Sequence, residues 1–312
     1  MTRQVLKAVI ALFLFFSFAG FIGASHSFSL ILEDTVPERL DVPYVPTPDN
    51  IVSEMIRMAG IGENDVVYDL GCGDGRIVID ACKKTGARGV GVDIDPERIA
   101  ECRSNAKKAD VEGKVTFVQQ DLFKVDFSEA TVLALYLLPE INVKLRPRIL
   151  NEMKPGSRII SHNYSMGDWL PDTARHLDAR HSIYFWVVPA NIGGTWNFTM
   201  REKDNTTRRI LRIEQGYQVV GGDLSAESGR TLISNVRLNG DDLRFTVDRK
   251  TDRGTIAVIF TGKAKGNVLE GAFASPEDRE IRGTWRARRE PSSVKPLEGS
   301  GNKIRKTLRV LK

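Results

Sequence analysis

The chain has 312 residues, enough for two domains, and 41% hydrophobic with 27% charged residues is ordinary for a globular protein. Its three cysteines exclude a disulfide framework, and its four histidines have no cysteine or carboxylate partners at zinc-site spacing, so no metal site is predicted. Much of the net charge of +5 lies in residues 291–312, which we expect to form a basic flexible tail. Because that tail has no aromatic residues for base stacking, no nucleic-acid partner is expected.

Residues 1–32 predict either a cleaved signal peptide or an uncleaved membrane anchor. Arg3 and Lys7 precede an uncharged segment rich in Phe and Leu. Read through to residue 32, this segment is long enough to cross a bilayer, so an uncleaved form would contact the membrane through residues 8–32. Acidic residues dominate just after it, and the positive-inside rule then places the main body on the non-cytoplasmic side. We therefore expect a membrane-anchored or exported protein.

Residues 33–48 are predicted to be an extended lead-in, because three prolines between residues 41 and 48 exclude a helix. Helical and strand patterns then alternate as far as residue 162. This alternation predicts an α/β fold with a doubly wound, Rossmann-like sheet of seven strands, which we place at residues 49–200. Residues 182–188 and 195–200 are expected to be an antiparallel pair that finishes this sheet.

A glycine-rich turn follows the first predicted strand, residues 66–70, and precedes a helical stretch. Gly71, Gly73 and Gly75 alternate with other residues, so the backbone can bend sharply and a ligand can approach the main chain. Cys72 lies inside the turn, where a small side chain fits.

Acidic residues after three successive strands indicate which ligand this turn binds. The Gly-x-Gly-x-Gly spacing differs from that of dinucleotide folds, and Asp69 would be a poor neighbour for a pyrophosphate. A carboxylate there suits a cationic amino-acid moiety, which points to S-adenosylmethionine. Asp93 is expected to bind the ribose hydroxyls, and Asp121 with Leu122 to receive the adenine amine. The alternative is a tight strand-to-helix connection without a ligand.

The C-terminal part of the chain has a different pattern. From residue 208 onward, short alternating runs separated by turn signals predict a small antiparallel β-barrel or sandwich, placed at residues 201–290. Gly-Thr-Trp occurs at residues 194–196 and again at 283–285, and the two tryptophans would match on the strands that close the barrel. In that case residues 195–200 belong to the barrel, and the sequence leaves both boundaries open.

Residues 43–169 resemble class I S-adenosylmethionine-dependent methyltransferases. Within them they are most similar to the mitochondrial protein-lysine methyltransferases of the ATP synthase c-ring protein and the adenine nucleotide translocase, and to their bacterial relatives. The matching residues are 45–48 (Val-Pro-Thr-Pro), 69–79, 121–124 (Asp-Leu-Phe-Lys), Pro139 and 168–172 (Asp-Trp-Leu-Pro-Asp). The resemblance implies that Tyr44 and Thr47 form a lid over the cofactor, with a plain linker as the alternative. It also implies a cofactor that is made in the cytosol, in conflict with the exported location predicted above.

The segment after the fourth strand, Tyr136-Leu137-Leu138-Pro139, provides the candidate catalytic residues together with His162. Its leucines form an apolar wall, which favours an aliphatic amine over a nucleobase. Tyr136 is expected either to orient that amine or to pack in the core. His162, at the end of the fifth strand, either accepts a proton or is a hydrogen-bonded structural histidine.

We predict an enzyme that methylates a lysine of a protein substrate by in-line transfer from S-adenosylmethionine. A small or lipidic acceptor is an alternative, because the same apolar wall would fit it. A binding protein that acts through the C-terminal β domain is a third, against which the intact set Asp69, Asp93 and Asp121 argues.

Overall fold

The computed structural model describes residues 44–226, 229–252 and 254–297. Within these ranges the α-helices are Asp49–Ala59 (α1), Arg76–Thr85 (α2), Pro96–Lys108 (α3) and Pro139–Glu152 (α4), and a short 3-10 helix is formed by Pro291–Ser293. The strands of a first sheet are Val66–Leu70 (β1), Arg88–Asp93 (β2), Val115–Gln119 (β3), Val132–Leu135 (β4), Arg158–His162 (β5), Thr173–His176 (β6) and Ser182–Val187 (β7).

The first sheet has seven strands in the order β3-β2-β1-β4-β5-β7-β6. Strands β1 to β5 pair in parallel, whereas β7 is antiparallel to both β5 and β6. All five residues of β1 and all four of β4 are buried, as expected for central strands covered by helices on both faces. The order reverses between β1 and β4, and ligands of doubly wound sheets bind at the carboxyl ends of the strands beside such a reversal. The predicted doubly wound α/β fold is confirmed.

The antiparallel pair predicted to finish this sheet is half wrong. Ser182–Val187 is in the sheet, but its edge partner is Thr173–His176 and not residues 195–200. The edge strand β6 was missed because all four of its residues are exposed, so it lacks the apolar alternation by which a strand is recognised.

The second sheet is a closed barrel of eight antiparallel strands, as predicted for the C-terminal part. Its strands are Gly194–Glu202 (β8), Asn205–Gly216 (β9), Val219–Ala226 (β10), Gly229–Asn239 (β11), Asp242–Thr251 (β12), Gly254–Lys265 (β13), Val268–Ala274 (β14) and Arg282–Arg289 (β15). Six aromatic side chains fill its interior, namely Trp196, Phe198, Phe245, Phe260, Phe273 and Trp285. The interior is therefore a packed core.

The two Gly-Thr-Trp copies lie on the neighbouring strands β8 and β15, and both tryptophans are buried. Because β8 pairs only with barrel strands, the boundary after residue 200 moves back, and we propose that the domains divide before Gly194. Part of the predicted flexible tail is structured, since Leu297 is buried and its carbonyl accepts a hydrogen bond from the Tyr217 amide. Residues 298–312 and residues 33–43 of the lead-in lie outside the described residues.

The prediction of a membrane-anchored or exported protein is corrected. Along the described part of the chain, no helix is both long enough and apolar enough to span a membrane. Residues 1–32, on which the signal-peptide and membrane predictions depended, lie outside the described residues.

Candidate functional site

The glycine-rich turn lies at the carboxyl end of β1, with Gly75 as the residue that begins α2. Gly71 and Gly73 have φ angles of +78° and +55°, which favour glycine. Both positions also lack space for a side chain. A Cβ on Gly71 would lie 2.9 Å from Leu137 Cδ2, and one on Gly73 would lie 2.5 Å from Tyr44 Cε2. The turn is therefore covered closely by Leu137 on one side and by Tyr44 on another.

Asp69 is a buried carboxylate beside this turn. It is 2% exposed, and its Oδ2 atom has no hydrogen-bond partner among the described residues. Burial, with the nearby carboxylates of Asp93 and Asp74, raises the pKa of Asp69 to about 8. A cation placed against this oxygen would remove the energetic cost of ionising it. The geometry thus fits the α-ammonium group of S-adenosylmethionine.

The other two predicted carboxylates are at the ends of the next strands. Asp93 ends β2, where its Oδ2 accepts a hydrogen bond from the Gly73 amide at 2.9 Å and so fixes the glycine turn. Asp121 follows β3 and accepts one from the Phe123 amide at 2.8 Å. Since β3, β2 and β1 are neighbours in the sheet, the three carboxylates line one edge, as predicted. Leu122, next to Asp121, is partly buried against the core.

Cys72 packs inside the turn. Its Sγ atom lies 3.7 Å from Cys102 Sγ, and Cys102 in turn donates to the Gly73 carbonyl at 3.1 Å. The hydrogen bond with Cys102 and burial raise the pKa of the Cys72 thiol. Cys72 therefore stays a neutral thiol that shapes the turn and is not prepared to act as a nucleophile.

The lead-in crosses the turn and is fixed by two arginines. Arg98 of α3 stacks on the Tyr44 ring, with 4.8 Å between its Cζ atom and the ring centroid. Arg76 pairs with Asp74 through two nitrogen atoms and donates to the Thr47 carbonyl at 2.9 Å. The sequence predicted Tyr44 and Thr47 here but missed Arg76, which lies directly after the glycines and anchors the lead-in.

Beyond β1, the crevice is lined by aromatic side chains at the ends of β4 and β5. The Tyr136 ring lies 4.1 Å from the His162 ring and 6.1 Å from the Tyr164 ring, between centroids. Burial raises the pKa of the Tyr136 phenol, so it stays protonated at neutral pH. Pro139 occupies the first turn of α4, where it ends the segment that contains Tyr136 and Leu137.

Both ring nitrogens of His162 are engaged. Nδ1 lies 3.2 Å from Thr47 Oγ1, and Nε2 lies 2.9 Å from His181 Nδ1. The side chain is fully buried, and burial together with His181 lowers the pKa of His162 to about 4. His162 is therefore neutral at physiological pH and connects the lead-in to β5. A role as proton acceptor stays a prediction.

Asn142 is a site residue that sequence reasoning missed. It lies on the face of α4 shared by Leu145 and Ile149, and all three are fully buried. Its Nδ2 atom donates to the carbonyls of Tyr164 and Ser165 at 3.3 and 3.4 Å, while its Oδ1 atom has no partner among the described residues. A polar residue within an apolar helical stripe is the signal that would have identified it.

Comparisons with known proteins agree with this site. Residues 69–173 match the family described as the ANTKMT methyltransferase domain, a range that holds Asp69, Asp93 and Asp121. A protein-lysine N-methyltransferase of Saccharolobus islandicus is 42% identical over 151 residues, which are 47% of this chain and 94% of that protein. The human lysine N-methyltransferase for the ATP synthase c-ring protein is 30% identical over 172 residues, 55% of this chain and 70% of that one.

A solved structure is also similar. The RNA methyltransferase of Salinibacter ruber, crystallised with S-adenosyl-L-homocysteine, is 49% identical, with a TM-score of 0.47. The match covers 47% of this chain and 96% of that one.

Proposed function

This chain belongs to the class I S-adenosylmethionine-dependent methyltransferases of the ANTKMT type, and we propose that its methyl acceptor is the side-chain amine of a lysine in a protein. The observation that carries the proposal is the 42% identity to a protein-lysine N-methyltransferase over 94% of that protein's length. The apolar and aromatic wall formed by Tyr136, Leu137 and Tyr164 supports it.

The arrangement divides the crevice between the two reactants. The edge over β1, β2 and β3 has the glycine turn and the three carboxylates, and suits the cofactor. The edge over β4 and β5 has Tyr136, Leu137 and Tyr164, and suits the acceptor. S-adenosylmethionine supplies, when bound, a methyl group on a positively charged sulfur that is displaced in line by a nucleophile.

The acceptor side must favour a neutral amine. Deprotonating a lysine with a pKa near 10.4 at pH 7 costs about 4.6 kcal/mol, and an apolar channel lowers that pKa by desolvating the ammonium. Leu137, which is 3% exposed and packs on Gly71, provides such a surface beside the cofactor turn. The protonated Tyr136 phenol presents a hydroxyl that accepts a hydrogen bond from an amine without adding charge.

Label transfer tests the proposal directly. The full chain is incubated with a lysate of its source organism and methyl-labelled S-adenosylmethionine, and the labelled fraction is hydrolysed and separated. We expect methylated lysine with the wild type and none with Asp69→Ala, while Asp80→Ala on the exposed side of α2 serves as the matched control.

The same separation decides against the proposal. Label in the organic-extractable fraction without methylated lysine would favour a small or lipidic acceptor, because Leu137 and Leu138 fit such a molecule as well. Label confined to nucleic acid would also contradict it. A wild type that transfers nothing although it binds the cofactor would favour the barrel as the functional module.

A further inference from the structure

One turn of the barrel is inserted into the methyltransferase domain. The turn joins β9 to β10 and has Tyr217 and Gln218 at its tip. Tyr217 is 2% exposed, and its ring stacks on Trp169 with 5.7 Å between the centroids. Its hydroxyl donates to Asp168 Oδ1 at 3.1 Å. A φ of +56° is unfavourable for a tyrosine, so the turn holds a strained backbone in order to insert this ring.

Gln218 adds three hydrogen bonds to the same segment. Its Oε1 atom accepts from Trp169 Nε1 at 2.9 Å, and its Nε2 atom donates to the Leu170 carbonyl at 2.8 Å and to Asp172 Oδ1 at 3.2 Å. Two neighbouring barrel residues therefore contact four of the five residues in the range 168–172. Trp169, which the sequence placed either at a substrate entrance or in the core, is fully buried by these contacts.

The segment so engaged continues into the acceptor side of the crevice. Residues 163–172, which we call the acceptor loop, connect β5 to β6. Their amino-terminal half has Tyr164, whose ring stacks on Tyr136 and whose carbonyl accepts from Ser161 Oγ at 2.7 Å. Their middle is held by α4, because Arg146 donates to the Met166 carbonyl at 2.8 Å and to Asp168 at 2.5 Å. Asp168 is thus shared between α4 and the barrel.

We propose that Tyr217 and Gln218 are positioning residues for methyl transfer: the barrel turn fixes the acceptor loop, and through Tyr164 it fixes the wall against which the acceptor binds. The inference rests on the proposed placement of the acceptor over β4 and β5. It assigns the barrel a part in the reaction in addition to any contribution to stability.

Attachment of the barrel does not depend on this turn alone. The turn between β11 and β12 also contacts the first domain, where the Gly240 carbonyl accepts a hydrogen bond from the Ala190 amide at 2.8 Å. A Cβ on Gly240 would lie 2.8 Å from Gly156 Cα, so the two backbones touch. Gly156 precedes β5, whereas the acceptor loop follows it. Variants of Gln218 therefore leave this second junction intact.

Two variants of the full chain test the proposal. Gln218→Ala removes the hydrogen bonds to Trp169, Leu170 and Asp172, and Tyr217→Phe removes only the hydroxyl while keeping the buried ring. The matched control is Asp204→Ala in the β8–β9 turn, at the opposite end of β9, where Asp204 is exposed and makes no hydrogen bond within the described ranges. Each protein is assayed for acceptor KM, kcat, the cofactor Kd and the thermal unfolding midpoint.

We expect Gln218→Ala to raise the acceptor KM about tenfold and Tyr217→Phe to raise it about threefold, since each lost hydrogen bond contributes a factor of a few. The cofactor Kd should stay within about twofold of wild type for all three proteins, because the glycine turn is not touched. An unchanged acceptor KM in both variants would overturn the proposal. So would a KM change that is matched by an equal loss of cofactor affinity, which would indicate general destabilisation.

The test is separable from that of the lysine proposal. The ratio of variant to wild-type KM is measured on whichever lysate fraction takes up label, so a non-lysine product leaves the ratio informative. A methylated-lysine product with an unchanged ratio would support the acceptor and reject the positioning role.

Discussion

At the scale of single residues, Asp69 connects the chemistry of the cofactor to pH. Its folded-state pKa is raised from 3.8 to about 8, so in the cofactor-free protein it is mainly protonated at neutral pH. The sign follows from that shift: the stability contributed by the buried neutral acid is fully present below pH 3.8 and is lost as the pH rises through about 8. A bound cation favours the ionised form, and binding must then release a proton.

We predict that cofactor affinity rises with pH between about 5.5 and 7, by at most tenfold per pH unit, because up to one proton is released. The upper bound avoids the range near 7.7–8.0 in which an α-amino group itself loses its charge. Calorimetry in two buffers with different ionisation enthalpies measures the released proton. Asp69→Asn should bind more weakly and release none, whereas Asp80→Asn, whose carboxylate pairs with Lys84 at 2.8 Å, should behave as wild type. Equal proton release from Asp69→Asn would contradict the assignment.

Cofactor residues could be predicted from the sequence because local geometry dictates them. Asp69 precedes the glycines directly, and Asp93 and Asp121 each follow an apolar strand, so strand order alone places them at one edge. Asn142, Tyr164 and Tyr217 could not be found in this way. Their roles depend on contacts between residues far apart in the sequence, such as Tyr217 with Asp168, and such a pairing leaves no local pattern.

At the scale of elements, the lead-in and the glycine turn act as one unit. Tyr44 lies so close to Gly73 that a side chain there would collide with its ring, and Arg98 holds the ring from the opposite side. The lead-in therefore takes its position from the absence of a Cβ in the turn. This is a packing reason for glycine that is additional to the reach of the ligand.

We predict that Gly73→Ala weakens cofactor binding at least tenfold and destabilises the fold by about 1–2 kcal/mol, since the left-handed backbone alone costs that much for a residue with a Cβ. The collision with Tyr44 adds to it. Gly62→Ala is the control, because a Cβ there would meet no atom within 4 Å. Calorimetric titration and chemical denaturation measure the two effects. The double variant Gly73→Ala with Tyr44→Ala should recover part of the lost affinity, and no recovery would show that the collision is not the cause.

At the scale of the whole molecule, the barrel core and the acceptor loop are connected through the β9–β10 turn. Phe260 is the centre of the aromatic core, with ring contacts to Phe198, Phe245, Phe273 and Trp285 at centroid distances of 4.8 to 6.2 Å. None of these residues is in the methyltransferase domain. A defect at Phe260 therefore reaches the crevice only if the barrel transmits it.

We predict that Phe260→Ala costs about 3–5 kcal/mol of stability, as for other large-to-small changes in a packed core. Loss of barrel order frees Tyr217 and Gln218 from the acceptor loop, so turnover of the acceptor should fall at a lower temperature than cofactor binding does. Phe260→Leu, which keeps most of the buried volume, should restore the two transitions toward coincidence. Activity and cofactor binding are followed on one temperature ramp for the three proteins. If binding and turnover are lost together in Phe260→Ala, the two domains unfold as a single unit, and the barrel then supports the site only through overall stability.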